Sequence, residues 1–352
     1  MRKVGFAIYM VVTVILLGEF VFWLLPDFNT HPPYDTAAID REIGWRPKAN
    51  YLYDGPMRSK DDSVYPVRFT TNAEGFQSYP EQRDEDKLQM FVIGDSFTQA
   101  VEVSDEKAYY YHFEEPLHAQ VYAYGMAGYG TLQESMILEE YLERVQPDVV
   151  LLQFCSNDFI DNDRVLEAQA IYQVGLRRPY WNAEGELEYA NPHGRITTLV
   201  QRTNFLKFCW KKIRQIQQRH FPAKAEPISE EKIGLGKDQD PDYGRSVATT
   251  KKLLQRIKEQ VGPDRQLVVF SSDGFDPQYH DAKALCEGLE IPHLFFPLAA
   301  MNEMRATAEV YTLDGYHWNE LGHKVVGTEL VKQLQQILAQ KGVLELPGAV
   351  QE

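Results

Sequence analysis

From residue 88 onward the chain alternates between short, nearly uninterrupted apolar runs and longer stretches in which apolar residues recur every three or four positions. The runs fall at 88–93, 120–124, 148–155, 266–272 and 291–297. Apolar runs of strand length, without a polar face, mark strands covered on both sides, as in a parallel sheet. Between them, Leu132, Met136, Leu138, Tyr141 and Leu142 form one helical stripe, and Val247, Leu253, Leu254 and Ile257 form another. A last helix, about 319–340, repeats Leu321, Val325, Val326, Leu330, Val331, Leu334 and Ile337 at helical spacing. Strand–helix alternation of this kind predicts an α/β fold with a doubly wound parallel sheet of about five strands.

Three segments break the alternation. Residues 27–87 are rich in Pro, Tyr, Asp and Arg; only 67–72 alternates like a strand, so a stalk plus an edge element is expected, with no functional content visible. A long insertion, about 160–245, opens the main region (88–340) between its third and fourth strands, and 341–352 is left as a tail. Within the insertion, 204–219 predicts a helix with Leu206, Cys209, Trp210, Ile213 and Ile216 on one face. Lys207, Lys211, Lys212, Arg214 and Arg219 lie largely elsewhere, which suits either a surface helix packed on the core or one facing a membrane or capping the substrate.

The first 26 residues have another character. Met1-Arg2-Lys3 precedes an apolar run from Val4 to Leu25, interrupted by Glu19 and closed by Pro26. About 22 residues at ~1.5 Å each span a bilayer core of roughly 30 Å. Arg2 and Lys3 before the run, with Asp27, Asp35 and Asp40 after it, place the N-terminus in the cytoplasm and the rest on the extracytoplasmic side. A cleaved signal peptide would need a shorter apolar core and a small-residue cleavage site, which Phe22-Trp23-Leu24-Leu25 does not offer.

Composition narrows the function classes. The 352 residues are 44% hydrophobic and 25% charged, with a net charge of −15, which argues against a nucleic-acid partner. Cys155, Cys209 and Cys286 cannot all pair within the chain and lack metal-like spacing, so no disulfide scaffold is expected.

The candidate chemistry sits at the ends of the apolar runs. In open α/β sheets ligands bind beyond the carboxyl ends of the strands, and the first run ends in Gly94-Asp95-Ser96. A serine there is a nucleophile only if a base takes its proton. Asp314 and His317, three apart in a polar turn before the last helix, supply an imidazole and a carboxylate to orient it. Gly128, after the second run, can present a bare backbone N–H, and the Asn157 amide, after the third, can donate to a developing oxyanion.

This arrangement of four blocks resembles the SGNH, or GDSL-type, hydrolases over about residues 91–335. The resemblance implies a flavodoxin-like α/β/α sandwich and ester hydrolysis or acyl transfer without metal or organic cofactor. By the same resemblance Ser96 is the nucleophile, Asp314 and His317 complete the triad, and the Ser96 N–H, Gly128 and Asn157 form the oxyanion hole. Phe97 departs from the family's usual leucine, Ser156 stands where many members have glycine, and Ala123 and Tyr124 precede the second block where Asn is frequent. An α/β-hydrolase elbow would want glycine where Thr98 stands. A metal site could draw on Asp95, Asp158, Asp161 or His317, but no His pair has ligand spacing.

The expected function is a serine esterase or acyl hydrolase acting on a small-molecule or glycan ester, held at a membrane by its N-terminal helix. The alternatives are an O-acetyltransferase acting on a polysaccharide and a tethered binding protein on a retired scaffold. If the anchor is retained, mass spectrometry of the mature protein finds an N-terminus upstream of Pro26; a start beyond Pro26 would contradict it.

Overall fold

The computed structural model describes residues 2–24, 36–170, 176–182, 184–190, 205–206, 208–209 and 241–344. The N-terminal apolar run forms one helix, α1 (Arg2–Leu24). Its one carboxylate, Glu19, accepts the backbone N–H of Phe205 at 2.5 Å, which offsets the cost of a charge in an apolar run. Several α1 side chains lie outside the description, and among the described residues no helix is long and apolar enough to cross a membrane. Most of the expected helix at 204–219 and its basic residues, and the tail beyond 344, lie outside the described residues.

The segment expected as stalk and edge element folds into two antiparallel pairs. One is β1 (Ala37–Ile39) with β2 (Trp45–Pro47); the other is β3 (Leu52–Arg58) with β4 (Val64–Thr70). From Thr36 onward this segment is part of the body. Ile43, Trp45 and Phe76 are buried in the same apolar cluster as the strands that follow, and Trp45 meets Tyr129 edge-on at 5.9 Å. Large aromatic residues in a Pro- and Asp-rich stretch have no periodicity to betray them, because they bury singly rather than as a face.

The main sheet contains β5 (Leu88–Gly94), β6 (Ala119–Gly125), β7 (Val149–Phe154), β10 (Gln266–Ser271) and β11 (His293–Leu294). Between β7 and β10 the insertion contributes a separate hairpin of β8 (Arg178–Trp181) and β9 (Leu187–Ala190). The sheet order is β6–β5–β7–β10–β11 with every pair parallel. Along the chain this is the flavodoxin order, second-first-third-fourth-fifth, whose switch point lies between β5 and β7. The expected doubly wound sheet is therefore present. Its last strand is shorter than the apolar run, because Pro292 before it lacks a ladder donor and the Phe295 N–H after it goes to Gln333 Oε1 at 2.8 Å.

Alternate strand residues serve opposite faces. Phe91, Ile93, Val150, Leu152 and Val269 face a layer that includes α3 (Thr131–Val145) and α6 (Pro241–Val261). Met90, Val92, Val149, Leu151 and Phe270 face a layer that includes the last helix, α9 (Glu320–Gln340). Each such side chain, fully buried, contributes about 1.5–3 kcal/mol. Short helices α2 (Ser96–Gln99), α4 (Asp158–Asp161) and α5 (Arg164–Gln169) follow the ends of β5 and β7, while α7 (Gln278–Gly288) and α8 (Leu298–Arg305) follow β10 and β11.

Because Trp45 has no exposed surface, Trp45→Ala should cost about 3–5 kcal/mol of unfolding free energy. Denaturant titration of the two proteins checks this; an unchanged midpoint would mean the segment does stand apart.

Candidate active site

The chain leaves β5 through a turn with no spare room. A Cβ on Gly94 would lie 2.3 Å from Oε1 of Gln153, and one on Gly125, at the end of neighbouring β6, would lie 2.2 Å from the Gln99 nitrogen. Asp95 is buried and caps α2, accepting the Phe97 N–H at 3.0 Å. From residue 91 to 100 only Ser96 is not buried, so the turn presents one hydroxyl to the surface.

That hydroxyl meets the C-terminal loop. Ser96 Oγ lies 2.8 Å from His317 Nε2, and His317 Nδ1 lies 2.6 Å from Asp314 Oδ2. The other Asp314 oxygen accepts the N–H groups of Tyr316 and His317 and the Thr312 hydroxyl, at 2.9, 3.0 and 2.9 Å. With the carboxylate accepting at Nδ1, the neutral imidazole is held as its Nδ1–H tautomer, and in that deprotonated form Nε2 is left to take the serine proton. The Phe97 ring packs against His317 and Trp318 at 5.1 and 4.5 Å, so this departure from leucine supports the imidazole directly.

The loop is also held from two other sides. Tyr316, next to His317, donates its hydroxyl to Asp273 at the end of β10 (3.2 Å). The same Asp273 oxygen accepts the Ser156 N–H and hydroxyl at 3.1 and 2.6 Å, giving Ser156 a role that glycine could fill only in part. The tip of the β3–β4 hairpin supplies the third support, with Leu313 N–H donating to Arg58 C=O and Lys60 N–H to Tyr311 C=O, at 3.0 and 3.1 Å. The described part of the 27–87 segment thus contacts the loop that carries Asp314 and His317.

Gly128 follows β6 with φ at +74°, a backbone that favours glycine. The residue before it is pinned from both ends: Ala127 N–H donates to Gln99 and Ala127 C=O accepts Trp45 Nε1–H, each at 3.1 Å. Asn157 stands at the start of α4 and is the one residue from 151 to 160 that is not buried. Its Nδ2 donates to Asp161 Oδ2 at 3.0 Å, which leaves a second Nδ2–H.

Neighbouring carboxylates set the charge of the imidazole. Burial alone would lower the His317 pKa, but Glu102, Asp314 and Asp95 raise it to about 9. Burial works against the charge of Asp314, yet the hydrogen bond and charge of His317, with the Tyr316 N–H, hold its pKa well below the carboxylate range. Burial pushes Asp95 up to about 6 and Glu102 up to about 7, each opposed by the charge of His317.

The structure therefore brings Ser96, His317 and Asp314 into one hydrogen-bonded line, and sets Gly128 and Asn157 in the loops after the neighbouring strands β6 and β7. Asp95, Asp158 and Asp161 do not converge on His317: each is engaged separately, by the Phe97 N–H, the Cys155 N–H and Arg178. Gln153, Glu102, Asp273 and Trp45 escaped the sequence reading. Only Gln153 carried a signal, as the one polar residue inside the third apolar run.

The GDSL-like lipase/acylhydrolase family, whose hydrolases act on esters, matches residues 90–330, and the chain belongs to it. Solved structures similar to it include a lipase/acylhydrolase from Enterococcus faecalis, 15% identical, covering 74% of this chain and 100% of that one with a TM-score of 0.39. The psychrotrophic esterase EstA from Pseudoalteromonas sp. is 11% identical over 71% of this chain and 99% of its own, TM-score 0.39. The acetylxylan esterase Axe2 from Geobacillus stearothermophilus is 15% identical over 70% and 93%, TM-score 0.36. No curated protein sequence matches the chain significantly.

The charge around His317 generates a pH prediction. Its folded pKa of about 9 exceeds the ordinary 6.5, so protonated His317 stabilises the fold fully below pH 6.5, and this is lost as pH rises through 9. Glu102→Gln removes one of the charges that raise it, so the imidazole titration followed by proton NMR should move to lower pH. A titration that stays in place would show that Glu102 does not act on His317.

Proposed function

We propose that the chain is a serine esterase in which Ser96 attacks the carbonyl of a carboxylic ester. The hydrogen-bonded line Ser96–His317–Asp314, at 2.8 and 2.6 Å, is the observation that carries this reading. As the Ser96 Oγ–carbon bond forms, the serine proton passes to Nε2 of His317 in its neutral form, the fraction of which grows as pH rises toward 9, and the carbonyl π pair moves to oxygen. The N–H groups of Ser96 and Gly128 and the Asn157 amide receive that oxyanion, each donor worth about 3–4 kcal/mol. Collapse breaks the bond to the alcohol oxygen, which leaves with the proton from His317. Water then repeats the steps on the acyl-serine and releases the carboxylic acid.

A retired scaffold would have no reason to keep the nucleophile, base and acid in hydrogen-bonding distance, which favours the enzyme reading over the binding one. We read α1 as a single-pass anchor that holds the catalytic domain on the extracytoplasmic side. Its support is the apolar run of the sequence from Val4 to Leu25 and the charges that flank it.

Ser96→Ala and His317→Ala should each lower kcat on a short-chain p-nitrophenyl ester by about 10⁴-fold or more. A fluorophosphonate probe should label the wild-type chain at Ser96; wild-type turnover by Ser96→Ala would falsify the reading.

A further inference from the structure

The insertion places one guanidinium against the two helices that follow the loops assigned to the oxyanion. Arg178, on β8, is 1% exposed. Its Nη2 donates to Asp161 Oδ1 at 2.9 Å and its Nη1 to Gln133 Oε1 at 2.7 Å, while Nε donates to Glu167 at 3.2 Å. Both of the first two contacts lead on to the site. Asp161 uses its other oxygen to accept Asn157 Nδ2 at 3.0 Å. Gln133 Oε1 also accepts the Gly130 N–H at 3.4 Å, two residues after Gly128. Trp45, which holds Ala127 C=O, has its ring 5.0 Å from the same guanidinium.

We propose that Arg178 is a positioning residue for the oxyanion hole, acting on the Asn157 amide through Asp161 and on the Gly128 loop through Gln133. The physical reason is orientation. An amide turned by half a revolution exchanges an N–H donor for a carbonyl oxygen, which would repel an oxyanion. A carboxylate only accepts, so Asp161 permits only the nitrogen to face it. Asn157 Oδ1 is buried and has no hydrogen-bond partner among the described residues, so nothing there holds the amide from its other end. Arg178 in turn holds the other Asp161 oxygen by a buried ion pair, and removing one partner of such a pair leaves the other without its counter-charge. A planar fork reaches Asp161 and Gln133 together; a lysine ammonium, a point charge on a flexible stem, does not reproduce that fork.

The inference rests on the serine-esterase reading, and the test separates the two. Asp161→Asn and Arg178→Lys are made in the full chain, with and without Asn157→Ala, and assayed on p-nitrophenyl acetate. In the otherwise wild-type chain, Asp161→Asn should lower kcat about 10- to 100-fold with KM nearly unchanged. In the Asn157→Ala background the same change should cost less than about 2-fold, because its effect travels through Asn157. Arg178→Lys should lower kcat while retaining the cooperative unfolding transition. Losses that simply multiply in the double variant would overturn the proposal. Nitrogen-edited NMR of the Asn157 side-chain amide gives a readout independent of turnover: its two proton signals should shift in Asp161→Asn and Arg178→Lys. Unchanged signals overturn the positioning role. Full activity of Ser96→Ala would instead overturn the serine reading, with the NMR result still deciding what holds Asn157.

Discussion

A parallel sheet covered on both faces leaves no water for a polar side chain, so an amide inside it must find partners for both of its ends. Gln153, in the middle of the sheet on β7, meets that demand by accepting the Asp95 N–H and the Thr98 hydroxyl on one side and donating to Ser272 on the other, each at 3.0 Å. The first two bonds require the β5 turn to press against β7, and that approach is possible only because Gly94 has no Cβ. The turn that carries Ser96 is thus held at its base by a hydrogen-bonding obligation of the core. The hydroxyl is free to face outward because Asp95 and Thr98 are tied inward.

The same logic extends to the loops around Ser96. Each has partners beyond its own turn or within the helix that follows it. The Asp314–His317 turn leans on the β3–β4 hairpin and on Asp273, and the Gly128 loop on Gln99 and Trp45. Asn157 leans on Asp161. Distant segments hold the first two of these loops, so geometry at the site is linked to the packing of the N-terminal pairs. Such support suits preorganised chemistry, where donors must already point at a charge that has yet to form.

Electrostatics adds a second layer. Burial pushes Asp95 and Glu102 toward their neutral forms, while His317 draws them back toward charge, and they in turn favour its protonated state. Asp314 differs because it is hydrogen-bonded on both oxygens, which keeps it ionised. The acid of the hydrogen-bonded line is set apart from its neighbours by partners rather than by residue type, as two aspartates of the same intrinsic acidity show.

Periodicity in the chain determined the doubly wound parallel fold and the places where strands end, because apolar runs and helical stripes are local properties that any cross-section of the sequence carries. Side-chain chemistry at those ends, together with the resemblance to the SGNH hydrolases, pointed to Ser96, Gly128, Asn157, Asp314 and His317. The extent of β11 was misjudged because hydropathy does not register the missing donor of Pro292 or the Phe295 N–H drawn off to Gln333. The burial of Trp45, the place of Gln153 against Gly94, the reach of Arg178 to Asp161 and Gln133 and the influence of Glu102 on His317 were decided by tertiary structure alone. Each depends on a partner tens to hundreds of residues away, and hydrogen bonds and burial at that range leave no pattern along the chain.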